Sequence, residues 1–163
     1  MKKTKINRIV IAALGMALVF LATYIIKIPN GIQGYFNLGD GFIVLFASLV
    51  SPFYAFLIGG LGSGLADIVG GYGIYFLPTL IIKGLEGFVV SYFVSTATST
   101  TKRYTVYVLA GLWMVFGYFI TDAYVNQSWL LSLTGVLPNL IQAACGIIIA
   151  GFAYPLLKKY ENK

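Results

Sequence analysis

The charges of this chain are confined to a few places, and the stretches between them are too long and too apolar for a fold in water. No residue from Ile9 to Ile26 is charged, none from Gly41 to Ala66, none from Tyr104 to Thr121 and none from Ala123 to Leu157. A membrane-crossing helix needs about 20 mainly apolar residues, and runs of this kind supply several. The whole chain is 59% hydrophobic and 10% charged, whereas a soluble domain carries about 25% charged residues. With 163 residues there is room for one compact bundle and not for an added soluble domain.

Cutting at charges, prolines and glycines gives six helices in one domain over residues 1–163: about 6–26, 40–50, 53–69, 74–94, 104–121 and 129–157. The second is short, so the count needs support from another quarter. Six crossings with the N-terminus inside put Lys2, Lys3, Lys5, Arg8, Lys102, Arg103, Lys158, Lys159 and Lys163 on the cytoplasmic side, as the positive-inside bias requires. Lys27 alone falls outside, and Lys83 falls within the fourth helix. Fusing the second and third helices would break this pattern. The expectation is therefore an all-α, six-transmembrane-helix bundle in a cell membrane with both termini cytoplasmic. Met1-Lys2-Lys3 before an apolar run imitates a secretory signal. No small-residue cleavage site follows, so the segment reads as an uncleaved first helix.

Several functions are excluded by what is missing. The net charge of +6 sits at the termini and one short loop, which fits the membrane bias and not a nucleic-acid stripe. A single cysteine, Cys145, and no histidine leave no disulfide framework and no zinc site of the usual ligands. There is no Walker A sequence and no nucleophile motif, so neither P-loop ATP hydrolysis nor covalent catalysis is expected, and no cofactor. The glycines from Gly59 to Gly64 imitate a nucleotide fingerprint, but without a preceding strand they read as close helix packing.

The polar residues are unevenly placed. Asp40, Asp67, Glu86 and Asp122 fall at outer helix ends or within the fourth helix, together with Tyr35, Asn37, Tyr72, Tyr75, Tyr124, Asn126, Gln127 and Trp129. The outer half therefore reads as a polar cup lined by aromatic rings. Lys83 and Glu86 share one face of the fourth helix, with Thr79 a turn outward; ionisable groups at that depth demand a partner or a wet cavity. They are read either as an internal ion pair or as substrate contacts, and both can hold. Ser132, Asn139 and Gln142 share a face of the sixth helix. Asn139, next to Pro138, is favoured for contact and Gln142 for interhelical hydrogen bonding. Asp40 reads first as the N-cap of the second helix. Asp67, in a last turn where an acid opposes the helix dipole, reads as paired or functional.

This pattern resembles the S components, or substrate-binding subunits, of energy-coupling factor (ECF) vitamin transporters. The resemblance rests on six helices in a small chain, Ala13-x-x-x-Ala17 in the first, and Gly34-Tyr35-Phe36-Asn37-Leu38-Gly39-Asp40. It continues through the glycine-rich third helix ending Leu65-Ala66-Asp67, then Gly71-Tyr72 and Lys83-Gly84-Leu85-Glu86-Gly87. It implies a vitamin pocket near the outer surface, made by the first loop and helices four to six, with Tyr35 and Asn37 in a lid. Asp40, Asp67, Lys83, Glu86 and Asn139 would be polar site groups, and Tyr72 and Tyr75 aromatic surface. Ala13 and Ala17 would dock on a transmembrane coupling subunit (T component), which carries two ABC-type ATPases; ATP and Mg would belong to those partners. Within the family the Asn-Leu-Gly-Asp and Lys-x-x-Glu segments look most like members assigned to hydroxymethylpyrimidine or pyridoxine. The alternative is a self-sufficient secondary transporter, although the paired broken helices typical of such proteins are not visible.

Overall fold

The computed structural model describes residues 5–29 and 34–161. Six helices form the bundle: α1 (Lys5–Ile25), α2 (Gly39–Ala47), α3 (Pro52–Val69), α4 (Phe76–Val94), α5 (Thr100–Val125) and α6 (Trp129–Glu161). The bundle is apolar outside and polar within. Leu130 and Phe152 are 76% and 77% exposed, while Asp40, Asp67, Lys83, Glu86, Asp122 and Gln142 are buried. That arrangement suits lipid as the solvent, because apolar side chains lose nothing there and charged ones must face one another. Five helices are long and apolar enough to cross a membrane: α1, α3, α4, α5 and α6.

The second helix is the exception, and its shortness positions the site. It was expected over 40–50 but ends at Ala47, where the carbonyl of Phe46 accepts from both Leu49 and Val50 as the chain turns into Pro52. Nine residues rise only about 14 Å, about half of a hydrocarbon core. The lower end of α2 is fixed by Ser48, whose hydroxyl lies 2.8 Å from that of Tyr107. Val50 accepts from the Ser91 hydroxyl at 2.6 Å nearby. Its upper end begins beside Lys83 and Gln142. Ahead of α2 the chain is non-helical: a short strand, β2 (Tyr35–Phe36), then Asn37 and Leu38. β2 pairs antiparallel with β1 (Ile28–Pro29).

Other boundaries shift for local reasons. α5 begins four residues before its expected start because Ser99 caps it, accepting from the Lys102 backbone N–H at 3.2 Å. It continues past Thr121 to Val125, carrying Asp122 inward. A single 3-10 turn (Gly73–Tyr75) precedes α4. α3 closes with a Schellman motif: Gly71 at φ 84° lets the Tyr72 N–H reach the Asp67 carbonyl at 2.8 Å. α3 and α4 are the most extensively packed pair. A Cβ on Gly59 would run into the Lys83 carbonyl oxygen, and one on Gly87 into that of Ala55, so the glycines serve the close packing expected of them. Arg8 borders a hollow with Leu49, Val50 and Ser51, and the Arg103 guanidinium lies 4.8 Å from the Tyr154 ring centre. Both ends of the described chain thus lie at the end of the bundle where α2 turns into α3.

Candidate functional site

The deepest layer of the polar interior is a charged network on three helices. Lys83 of α4 forms an ion pair and hydrogen bond with Asp40 in the first turn of α2, and its ammonium lies 3.6 Å from Glu86. Gln142 of α6 donates to the second oxygen of Asp40 at 2.9 Å. Its own oxygen accepts from the Asn37 backbone N–H at 2.8 Å. Asn37 in turn accepts from the Gly39 N–H at 2.8 Å, an Asx-type turn that satisfies a donor at the start of α2. Asp40 is therefore not the N-cap that the sequence suggested: its side chain caps nothing and is taken up by Lys83 and Gln142. It still sits where an acid favours the dipole of α2. The expected Lys83–Glu86 pair exists, but the closer partner of Lys83 is Asp40.

Above this layer lies a second, richer in rings. Tyr35 donates a hydrogen bond to Asp67, Tyr75 donates to Asp122 at 2.8 Å, and the Thr79 and Tyr118 hydroxyls are 2.9 Å apart. The Lys83 ammonium lies 5.5 Å from the centre of the Tyr118 ring, a cation–π distance. Burial first, and then the Asp67 carboxylate, push the Tyr35 hydroxyl above its ordinary pKa, so it stays a donor. At the mouth, the Lys27 ammonium lies 5.2, 4.8 and 5.0 Å from the ring centres of Tyr24, Tyr35 and Tyr72. The Tyr35 and Tyr72 rings are themselves 4.7 Å apart and tilted by 55°.

Between the two layers is a narrow cavity of about 30 Å3, room for one or two waters. Of the residues singled out from sequence, Tyr35, Asn37, Asp67, Tyr75, Lys83 and Asn139 line it. Asp40 and Glu86 stand behind Lys83, and Tyr72 packs on the outer side of Tyr35. The walls are not confined to the first loop and helices four to six: Thr23 of α1 and Ser63 and Asp67 of α3 also contribute, while Thr79, Tyr118, Asp122 and Gln142 complete the part made by helices four to six. Gln142 makes the hydrogen bonds expected of it and borders the cavity as well. Its place was legible, three residues from Asn139 on one helical face; Thr23, Ser63 and Tyr118 carried no signal of their own. Asn30, Gly31, Ile32 and Gln33 of the first loop lie outside the described residues, as do Lys2, Lys3 and Lys163.

Two polar side chains of the cavity remain unspent. The second oxygen of Asp67 is buried without a hydrogen-bond partner, and the Asn139 amide, 7% exposed, borders the cavity and bonds to no described residue. Among the described residues no three His, Cys, Asp or Glu side chains gather into a metal-holding cluster. Elsewhere, Ala13 and Ala17 are exposed in an open apolar groove of about 430 Å3 between α1 and α3, with Met16, Tyr54 and Leu57.

The family model of the S component of ECF-type riboflavin transporters matches residues 3–162. An uncharacterized protein of Pyrococcus woesei is 39% identical over 142 residues, covering 86% of this chain and 95% of the relative. The thiamine precursor transporter HmpT of Lactococcus lactis subsp. cremoris is 27% identical over 161 residues, covering 98% and 92%. A polar cavity inside a lipid-facing bundle, with a match along nearly the whole chain, makes this protein a transporter subunit and not an enzyme: it belongs to the family of S components of ECF-type riboflavin transporters.

Proposed function

We propose that this chain is the high-affinity binding subunit of an ATP-driven ECF importer for a small heteroaromatic vitamin or precursor, hydroxymethylpyrimidine or pyridoxine. The observation that carries the reading is the cavity at the head of the half-length α2, walled by rings and holding unspent polar groups on Asp67 and Asn139. Buried polar groups without partners cost stability, and a ligand bearing complementary groups removes that cost. Half-helices whose ends face a cavity at membrane depth are a recurrent way to build solute sites.

In this reading Tyr35, Asn37, Asp67, Tyr75, Lys83 and Asn139 face the ligand, Asp40 and Glu86 hold Lys83, and Tyr72 backs the Tyr35 ring. The present cavity admits water and not a ring, so binding displaces side chains at the mouth, where the Tyr35 side chain meets Lys27 and Asp67. The groove at Ala13 and Ala17 receives a transmembrane coupling subunit, and two ABC-type ATPases on that subunit supply ATP and Mg; this chain carries no cofactor. The basic end, with Arg8, Lys102, Arg103, Lys158 and Lys159, faces the cytoplasm, and the cavity mouth faces outward.

The HmpT relative favours a thiamine precursor, whereas the family description favours riboflavin. A small cavity rimmed by charged groups suits a single polar ring better than three fused rings with a long side chain. Calorimetry on the purified chain in detergent with hydroxymethylpyrimidine, pyridoxine and riboflavin tests this. Tight one-to-one binding of either small ring, weakened in Asn139→Ala, supports the reading. Binding of riboflavin alone reassigns the substrate, and a folded protein that binds none of the three is not this kind of subunit.

A further inference from the structure

We infer that the ligand is an amino-substituted basic ring whose N–H is given to Asp67, which makes Asp67 the residue that decides between related aromatic alcohols. This deepens the binding-subunit reading and rests on it. Asp67 is 3% exposed, borders the cavity, and uses one oxygen for the Tyr35 hydroxyl; the other has no hydrogen-bond partner, for the Thr79 hydroxyl beside the carboxylate is bonded to Tyr118. An ionised carboxylate oxygen can only accept, so what completes it must be a donor. Glu86 also has an oxygen without a hydrogen bond, but that oxygen is the one paired with the Lys83 ammonium at 3.6 Å, and Glu86 does not border the cavity.

The kind of donor follows from the surrounding charge. Asp40, Asp67, Glu86 and Asp122 are buried around the cavity, against Lys83 inside and Lys27 at the mouth. Around the cavity, among the described residues, these four acids face two cations, so the site favours a ligand that brings positive character. Lys83 is already committed to Asp40 and Glu86. A hydroxyl donor brings no such charge. A flavin imide N–H is flanked by two carbonyl oxygens that would face the Asp67 carboxylate. An amino group beside a basic ring nitrogen becomes, once that nitrogen is protonated, a pair of adjacent N–H donors carrying positive charge, with no acceptor opposed to the carboxylate. The Asn139 amide, which bonds to no described residue, can both donate and accept at the other side of the ring.

The experiment compares ligands on the unaltered full chain. Binding to hydroxymethylpyrimidine is measured by calorimetry beside the same ring with methyl in place of the amino group, and beside pyridoxine. The expected result is that the methyl isostere binds weaker by about 30-fold or more, with pyridoxine also weaker than the amine. In Asp67→Asn, checked for an unchanged thermal transition, the difference between amine and isostere shrinks to about threefold or less. Equal binding of amine and isostere to the unaltered chain, or tighter binding of pyridoxine, overturns the assignment while leaving the subunit a vitamin binder. Failure of every ring to bind removes the underlying reading instead.

Discussion

Lys83 of α4 and Asp40 of α2 meet in the middle of the bundle, and the two are the point at which the half-length helix is tied to a full-length one. α2 begins in the interior because the backbone ahead of it is bonded to Gln142 and closed by Asn37. Lys83 then holds its first turn in place by charge. The floor of the cavity is therefore a consequence of helix architecture as much as of side-chain chemistry.

Removing one member of that pair leaves the other charge buried. Lys83→Met should cost about 3–5 kcal/mol of stability and lower the thermal transition in detergent steeply. Lys83→Met combined with Asp40→Asn should cost less than the sum of the two single changes, since each alone strands a partner. Additive losses in a double-mutant cycle would show that the two side chains do not depend on each other.

Asn139 and Gln142 should separate binding from stability. Asn139 has no partner among the described residues, so Asn139→Ala should leave the thermal transition nearly unchanged while weakening ligand binding by about 10-fold or more. Gln142→Ala breaks bonds to both Asn37 and Asp40 and should lower stability and binding together. The two variants are compared by calorimetry and by thermal unfolding without ligand.

At the mouth, Tyr35→Phe removes the donor to Asp67 and should speed ligand release by about 10-fold, read by stopped-flow fluorescence. The Tyr35 hydroxyl is raised above its ordinary value of 10.0 by burial and by Asp67. A raised folded pKa gives a contribution that is complete below about pH 10 and fades as the pH rises beyond it. The stability difference between the unaltered chain and Tyr35→Phe should therefore stay constant from about pH 7 to 9 and shrink only above about 10. A difference that changes within the neutral range would assign the titration to another group.

Gly59 lies against the Lys83 carbonyl and Gly87 against that of Ala55. Gly59→Ala or Gly87→Ala should force α3 and α4 apart at a cost of about 1–3 kcal/mol. Gly73, where an added Cβ meets nothing within 4 Å, should tolerate the same change. Thermal unfolding of the three variants side by side checks the contrast.

The groove at Ala13 and Ala17 should matter for transport and not for binding. Leu at both positions fills exposed space between α1 and α3, so ligand affinity of the isolated chain should be unchanged while uptake in cells carrying the coupling subunit and its ATPases is lost. Retained uptake would place the docking surface elsewhere.

The sequence by itself determined the solvent and the class. Uncharged runs such as Ile9–Ile26 and Ala123–Leu157 cannot be hidden in a protein of this size and so must meet lipid, and acids placed among them must be held inside. That much needs only hydropathy and the 3.6-residue period, which also put Lys83 beside Glu86 and Asn139 beside Gln142. Tertiary structure alone decided which charges meet: Asp40 lies 43 residues from Lys83 in sequence and Gln142 lies 102 from Asp40. It also decided that α2 stops at half a crossing, that Asn37 and not Asp40 serves its start, and that Thr23, Ser63 and Tyr118 border the cavity. No local pattern encodes those facts, because they follow from the packing of distant helices and from the cost of leaving a buried charge unpaired.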